Sequence, residues 1–286
     1  MSALLSPLVS LLTVVLAGAH DLLAALGLAP GSPLAWVLAL AGLVVVVRGA
    51  MLPLVVHGVR SAHARARAMP ALTALQRRYA GRRDLESLSR LRREQRAILA
   101  EHGVSSWSLA PMLLQFPLFL ALYRVIAEVS AGHPVGALTA GLVASATSAT
   151  IVGLRLTDRV TGLGASLPGL VLFLGLAVLA AGLTYVTQKW FVLPNTPAMS
   201  TGAAGVASAG AAGTGVGAGE QVAGAMAAVQ GWLPALSAVG LLIGAAVVPA
   251  GLLAYWCLNN LWTLVQQALI CRYWPTPGSA AATRQS

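Results

Sequence analysis

Arg48 is the residue whose type and position raise the sharpest chemical question in this sequence. It follows four consecutive valines and precedes the Gly-Ala-Met-Leu-Pro run at 49–53. At about 1.5 Å per residue, Arg48 lies roughly 20 Å along an apolar helix that begins near Leu34. A cation at that depth is costly unless it meets water or a partner, so it indicates a functional site. The alternative is that its long side chain only reaches back to the inner headgroups.

A second polar feature lies in the apolar segment at 250–270. Polar and amphipathic side chains recur there at helical spacing and therefore share one face of the predicted helix. Such side chains either hold helices together or line a wet cavity. No carboxylate lies deep in any apolar segment, so Arg48 is expected to seek water or an incoming anionic group. The predicted binding residues are Arg48, Gln115, Gln188, Trp256, Asn259, Asn260, Thr263 and Gln266.

Catalytic chemistry finds little support in the residue patterns. Neither a metal-binding H-E-x-x-H motif nor a nucleophilic G-x-S-x-G motif occurs. His57 and His63 are six residues apart, which suits a shared metal poorly. We therefore expect neither an enzyme nor a bound metal or cofactor. A proton-driven transporter would normally carry an Asp or Glu deep in a span, whereas the one carboxylate within the apolar segments, Glu128, lies near the outer end of its segment.

The composition indicates which kind of scaffold must position these residues. Of 286 residues, 57% are hydrophobic and 9% are charged, and the mean hydropathy is +0.79. Soluble domains carry about 25% charged residues, so the chain is expected to be an all-α polytopic membrane protein. Two cysteines are too few for a disulfide scaffold.

Apolar runs of membrane-spanning length divide the chain into segments. Residues 1–33 predict an N-terminal interfacial amphipathic helix and linker, with a cleaved signal or a sixth span as alternatives. Five predicted spans cover 34–56, 107–129, 167–187, 232–248 and 250–270. The connecting segments are a basic hairpin at 57–106, an extracytoplasmic loop at 130–166, a flexible Gly/Ala-rich linker at 188–231 and a C-terminal tail at 271–286.

The distribution of arginine predicts the orientation. Eleven of the arginines fall between 57 and 103, against four carboxylates, whereas the 130–166 loop has two. Cytoplasmic loops carry the excess of Lys and Arg. The hairpin, the linker and the C-terminal tail are therefore expected on the cytoplasmic side of the cell membrane.

The segment at 57–106 predicts two antiparallel helices with thin apolar stripes. Pro70 suits the first turn of one helix, Gly81 marks the turn, Asp84 is a candidate N-cap, and Gly103 suits a helix end. A solvated basic loop is the alternative. The positive charge can engage anionic lipid, ribosomal RNA or a partner protein. The arginines expected to recruit such partners are Arg77, Arg78, Arg82 and Arg83.

Three motifs together resemble the YidC-type membrane protein insertases of the Oxa/Alb superfamily, most closely their actinobacterial branch. They are V-R-G-A-M-L-P-L at 47–54, E-H-G-V at 101–104 with A-P-M-L-L-Q-F-P-L-F-L-A-L-Y-R at 110–124, and V-P-A-G-L-L-A-Y-W at 248–256 followed by paired Asn and paired Gln. Two departures stand out: serines occupy 105 and 106 where the family usually has Asn-Pro, and Leu109 replaces a common Cys.

The resemblance implies five core helices around a hydrophilic groove that opens to the cytoplasm. It implies that Arg48 attracts the acidic tail of a nascent membrane protein, whose apolar segment then leaves sideways into lipid. The implied partners are nascent membrane proteins, membrane lipids, and possible contacts with the Sec translocon and the ribosome, but not DNA. No cofactor is implied. The residues leave two other classes open: a small-solute channel or transporter with Arg48 as an anion site, and a scaffold whose polar residues only join helices.

Overall fold

The computed structural model describes residues 2–82, 84–104, 110–162, 166–196 and 216–284. These residues are mostly helical. The long helices are α1 (Ser2–Ala25), α2 (Pro33–Arg78), α3 (Leu85–Glu101), α4 (Ala110–Ser130), α6 (Leu167–Val186), α7 (Val216–Ala245) and α8 (Ala250–Tyr273). The shorter elements are α5 (Ala140–Ser148), the strands β1 (Thr150–Ile151) and β2 (Leu154–Arg155), a 3-10 turn at Val160–Gly162, a π-helical turn at Thr187–Val192 and α9 (Ala280–Thr283).

Several helices have the length and composition of membrane spans. Among the described residues these are Leu5–Ala25, Pro33–Arg78 and Leu167–Val192, and Gly231–Ala245 is a shorter apolar helix. An all-α membrane protein is therefore confirmed at this level. The exception to the all-α expectation among the described residues is a short antiparallel hairpin formed by the two-residue strands β1 and β2. The interfacial placement of residues 1–33 and the number of spans stay predictions.

Helix α2 differs from the sequence-based expectation because it continues through two prolines. Pro70 lies inside α2, not in the first turn of a new helix. An internal proline removes one backbone hydrogen bond and weakens a helix. Here Ala68, Met69 and Leu72 are buried on either side of Pro70 and pack against residues of α3. This burial, together with the helix-forming alanines nearby, offsets the missing bond.

The predicted linker also contains more regular structure than expected. A π-helical turn follows α6 directly, and α7 begins at Val216 although the linker was predicted to continue to residue 231. Alanine is the best helix former, and its frequency after Val216 outweighs the cost of the interspersed glycines. Residues 197–215 of that linker lie outside the described residues.

The chain forms two compact units. The first contains residues 1–52, 112–186 and 234–265. Its apolar core includes one face of α1, where Leu12 and Leu16 are buried. Thr13 on that face is fully buried, and its hydroxyl oxygen accepts the backbone N–H of Ala137 at 3.1 Å. Gly136 must lack a side chain, because a Cβ there would collide with Thr13.

The loop after β2 is tied to the start of α8 in the same unit. The backbone N–H of Ala250 donates to the carbonyl of Asp158 at 2.8 Å, and that of Gly251 donates to the carbonyl of Leu156 at 2.7 Å. The first N–H groups of a helix have no partner inside it. The loop carbonyls satisfy two of them, so the position of the loop is fixed relative to α8.

The second unit contains residues 53–111, 187–233 and 266–286. Its helical hairpin has the turn chemistry that the sequence predicted. Gly81 has φ +84° and lies in the turn. The Asp84 side chain accepts the N–H of Ser87 at 2.7 Å and is the N-cap of α3. At the other end, Gly103 has φ +71°, and the N–H of Val104 reaches the Leu99 carbonyl, as in a Schellman motif.

A polar contact joins the two arms of the hairpin. The Tyr79 hydroxyl donates to Glu94 Oε1 at 2.7 Å, and Arg78 lies 3.6 Å from the other oxygen of that carboxylate. Because Glu94 accepts the phenolic proton, the pKa of Tyr79 is raised. The arms of the hairpin therefore meet both through apolar side chains and through polar contacts to Glu94.

The C-terminal segment of this unit is folded back on the chain. The N–H of Thr276 donates to Asn195 Oδ1 at 2.7 Å, and the N–H of Ala281 donates to the Pro194 carbonyl at 2.9 Å. His63 on α2 lies 3.2 Å from the Trp274 carbonyl. Residues 274–281 are thus anchored by hydrogen bonds, which nothing in their sequence predicted.

We expect the stabilisation of α3 by its N-cap, Asp84, to be lost at acidic pH. The backbone and hydroxyl of Ser87 lower the pKa of Asp84, so the ionised form stabilises the helix start. The stabilisation is fully present above the unfolded aspartate value of 3.8 and is lost as the pH falls through the lower native value. Hydrogen exchange of the first-turn amides should accelerate there in the wild type. Asp84→Asn keeps a side-chain acceptor that does not titrate, so amide exchange in this variant should lack the pH dependence. If the exchange rates of both proteins change with pH in the same way, Asp84 is not the titrating N-cap.

Candidate functional site

Arg48 lies in the first compact unit and is bound by two neutral side chains of α8. Its Nε donates to Asn259 Oδ1 at 2.8 Å, and its Nη2 donates to Thr263 Oγ1 at 3.1 Å. The arginine is half-buried. Asn259 and Thr263 are one helical turn apart, so both acceptors face the same way. The structure therefore brings together three of the residues that the sequence predicted for the site.

The orientation of the Thr263 hydroxyl is determined by a second bond. Its proton is donated to the backbone carbonyl of Asn259 at 2.8 Å. A hydroxyl has one proton and two lone pairs, so Thr263 Oγ1 can only accept from Arg48. The pair thus forms a two-acceptor clamp on the Nε and Nη2 side of the guanidinium. A guanidinium has five N–H donors, and the clamp leaves the donors on Nη1 outside these two bonds.

No carboxylate neutralises Arg48 within the described chain, where the ion pairs involve other residues. The neutral clamp satisfies part of the hydrogen-bonding capacity of the guanidinium without cancelling its charge. A positive charge in a half-buried position attracts an anion more strongly than one in bulk water, because the local dielectric constant is lower. The arrangement is chemically suited to receive a carboxylate or another anion.

Tyr255 is a neighbour of Arg48 that the sequence-based site did not include. It is buried, with 5% of its surface exposed, its side chain lies near Arg48, and it forms a hydrogen bond with Gln115. Tyr255 precedes Asn259 by one helical turn, so the helical spacing used for Asn259 would also have found it. Through Tyr255, Gln115 of α4 belongs to the same group of side chains.

The other two predicted α8 residues in this unit have packing roles. Asn260 Nδ2 donates to the Ala180 carbonyl at 3.1 Å and to Thr184 Oγ1 at 2.9 Å, so it joins α8 to α6. Trp256 stacks on Phe119 of α4, with 6.1 Å between ring centroids and 17° between ring planes. Adjacent helical residues point about 100° apart, which is why Asn259 reaches Arg48 while Asn260 reaches a different helix.

The remaining predicted residues belong to the second compact unit. Gln188 lies in the π-helical turn and Gln266 in the last part of α8, and both are half-buried. Their participation in a common site with Arg48 stays a prediction. The arginines expected to recruit partners are exposed at Arg77, Arg78 and Arg82, whereas Arg83 lies outside the described residues. The Arg78 and Arg82 guanidinium groups also lie 5.9 Å and 5.6 Å from the Tyr79 ring centroid.

Across the described ranges, no three His, Cys, Asp or Glu side chains come close enough to hold a metal ion. Cys257 is buried, and its thiol lies 3.2 Å from the Leu176 carbonyl in the contact between α6 and α8.

The fold and the site define a class of protein: a helical membrane protein in which an arginine is bound by neutral side chains. Comparison with known families is more specific. Residues 28–276 match the family model described as "60Kd inner membrane protein", and the chain belongs to that family.

Curated relatives include several proteins named membrane protein insertase YidC. The one from Streptomyces avermitilis is 29% identical over 86% of this chain and 54% of its own length. The one from Tropheryma whipplei strain Twist is 28% identical over 97% of this chain and 86% of its own length. The one from Bifidobacterium longum is 26% identical, with 98% and 78% covered. The resemblance derived from the motifs, including its actinobacterial leaning, is thereby confirmed.

The shares covered differ between these relatives. The chain spans about half the length of the Streptomyces protein, 54%, but most of the other two. The similarity includes the segment that contains Arg48 and the segment that contains Asn259 and Thr263, since both lie within residues 28–276.

We expect double-mutant cycles with Thr184 to show energetic coupling for Asn260 but not for Asn259. Interhelical hydrogen bonds in membrane proteins average about 0.6 kcal/mol, so Asn260→Ala should lower the free energy of unfolding by roughly 1 kcal/mol. Combining it with Thr184→Ala should give less than the sum of the single effects, because the two side chains share a bond. Asn259→Ala combined with Thr184→Ala serves as the matched control and should be additive. Unfolding in detergent measures each value, and an additive Asn260 cycle contradicts the assigned contact.

Proposed function

We propose that this protein is a membrane protein insertase and chaperone that receives nascent membrane proteins and releases their apolar segments into lipid. The observation that carries the proposal is the clamp on Arg48: the arginine stands within an apolar helix, bound by Asn259 and Thr263, with its charge retained. Its relatives are named membrane protein insertases, and the chain belongs to the family described as 60Kd inner membrane protein.

The proposed first step is electrostatic. A hydrophilic tail that carries Asp or Glu is attracted to Arg48 because the attraction between opposite charges grows as the local dielectric constant falls. The clamp engages the Nε and Nη2 donors, which leaves Nη1 donors for a carboxylate. Hydrogen bonds between an arginine and a carboxylate are among the stronger ones in proteins. Burial of the tail's charge beside Arg48 lowers the cost of moving it into the membrane.

The proposed second step is hydrophobic. The apolar segment of the substrate enters the lipid, where burial contributes about 25 cal/mol for each Å² of apolar surface removed from water. No covalent bond changes in either step, so the role is not enzymatic. In this scheme five core helices surround a hydrophilic groove open to the cytoplasm, and Gln115, Gln188, Trp256, Asn260 and Gln266 contribute to its lining or its packing.

The arginines of the hairpin serve recruitment in the same proposal. Arg77 and Arg82 are exposed, and the net charge of the whole chain is +10. A basic hairpin and C-terminal tail on the cytoplasmic side of the cell membrane would contact anionic lipids, the ribosome or the Sec translocon through this charge.

Insertion should depend on the charge of Arg48. The experiment uses proteoliposomes and a short single-span substrate with an acidic N-terminal tail. Arg48→Ala should lower insertion at least about tenfold, which corresponds to roughly 1.4 kcal/mol, and Arg48→Lys should restore part of it because the charge returns without the planar fork. Arg124→Gln, on α4, is the matched control and should insert as the wild type does.

The substrate provides the complementary control. Replacing the acidic residues of the tail with their amides should lower insertion by the wild type and leave little further effect for Arg48→Ala. If wild-type protein inserts no more than empty liposomes, the insertase proposal fails, and anion flux through the liposomes then tests a solute channel. If Arg48→Ala inserts as the wild type does, Arg48 is not the receiving site.

A carboxylate introduced into the clamp should lower insertion of an acidic substrate without unfolding the protein. Asn259→Asp places an anion beside the Arg48 Nε, where Asn259 Oδ1 now lies at 2.8 Å. The new ion pair should occupy the cation and lower insertion of the acidic substrate at least as far as Arg48→Lys does, whereas thermal stability in detergent should not fall. Thr263→Ser retains the hydroxyl acceptor and is the conservative control. Normal insertion by a folded Asn259→Asp protein contradicts the mechanism.

A further inference from the structure

An apolar cavity of about 260 Å³ lies in the first compact unit, away from the Arg48 clamp. It is bounded by residues of α2, α6 and α8 and by the segment that contains β1 and β2. Its lining includes Leu172 and Leu176 on α6 and Ala254 and Cys257 on α8. All of these residues belong to the same unit, so the cavity is a feature of one packed body.

The walls of the cavity are held by bonds already described. The loop that follows β2 is fixed to the first turn of α8 through the carbonyls of Leu156 and Asp158. The Cys257 thiol, which also lines the cavity, lies at hydrogen-bonding distance from the Leu176 carbonyl, and this bond uses the one polar hydrogen of the cysteine side chain. Substitution of Gly251 would press on the Leu156 carbonyl, 3.0 Å from its Cβ position.

The surface of the cavity is wholly apolar. Water needs two to four polar partners to be held in a protein interior, and an apolar cavity of this size favours apolar molecules instead. Small-molecule sites usually have volumes of roughly 300–1,000 Å³ with several convergent polar groups. This cavity lies below that range and has no such groups, so its volume and chemistry favour a single alkyl chain.

Arg155 supplies the one charged side chain among the lining residues. It is exposed, and the cavity surface that it helps to line is apolar. Its backbone N–H binds the Asp158 carboxylate at 2.8 Å, and none of the ion pairs seen in the described chain includes its guanidinium. Because the loop that follows Arg155 is bound to the first turn of α8, Arg155 lies near the end of a predicted span, where headgroups are found.

We propose that this cavity binds one acyl chain of an anionic phospholipid and that Arg155 holds the phosphate of the same molecule. Guanidinium and phosphate form bidentate, charge-assisted hydrogen bonds, and the apolar stem of arginine can lie along the chain. The nearby carboxylate of Asp158 would repel a bound phosphate. It accepts a hydrogen bond from the backbone N–H of Arg155, and this bond holds the carboxylate against the loop. The site requires that the helices lie in a membrane, but it does not depend on insertase activity.

Photocrosslinking of the full-length protein in nanodiscs tests the site. The probes are phosphatidylglycerol and phosphatidylcholine that carry the same diazirine-labelled acyl chain. We expect crosslinks to peptides that contain residues 151–156 and 254–258, several-fold stronger with the anionic probe. Arg155→Gln should make the two lipids equivalent. Arg159→Gln, an exposed arginine in the same loop that does not line the cavity, is the matched control and should keep the preference.

A second variant tests the cavity itself. Ala254→Leu should fill it and abolish labelling of both peptide regions by both probes. Because this variant adds volume to a buried position, its melting temperature is measured beside the wild type, and Arg155→Gln provides an independent test at an exposed residue. Equal labelling of the wild type by both probes overturns the role of Arg155. Absence of crosslinks in both regions overturns the lipid site.

Discussion

The need to hold a cation inside an apolar helix is the constraint on which the site depends. Arg48 cannot remain without acceptors there, since an unpaired charge away from water is costly. Asn259 and Thr263 provide the acceptors from α8, and the Thr263 proton is already committed to the helix backbone. A carboxylate would bind more strongly but would cancel the charge. Neutral acceptors satisfy two donors of the guanidinium and leave its charge uncancelled.

The same helix also shows how the clamp is kept in place. On adjacent faces of α8, Asn260 binds a carbonyl and a hydroxyl of α6, and Trp256 stacks on α4. At its start, two N–H groups of α8 are satisfied by loop carbonyls. These contacts fix the position of α8 within its unit. They explain why a run of polar residues at helical spacing contains members with different roles.

In the hairpin of the second unit, the local sequence is sufficient to determine where the turn lies and where the second helix begins and ends. Asp84 caps α3, Gly81 adopts the positive φ of the turn, and Gly103 ends the helix as the sequence predicted. Each of these features involves residues within five positions of one another, so short-range chemistry decides them. The contact between Tyr79 and Glu94 then joins the arms. Local rules and tertiary contacts agree here, as they do in well-determined folds.

The sequence by itself determined the class of protein, the family through three motifs, and the turn and caps of the hairpin, and it predicted Arg48 as the central residue of the site. These features follow from composition, periodicity and residues close in the chain. Only the tertiary structure decided which of the two adjacent asparagines reaches Arg48, that Tyr255 joins the group, that α2 continues through Pro70, and that the cavity beside Arg155 exists. Each of these depends on packing between segments far apart in sequence, and helical spacing alone does not specify which neighbour a face will meet.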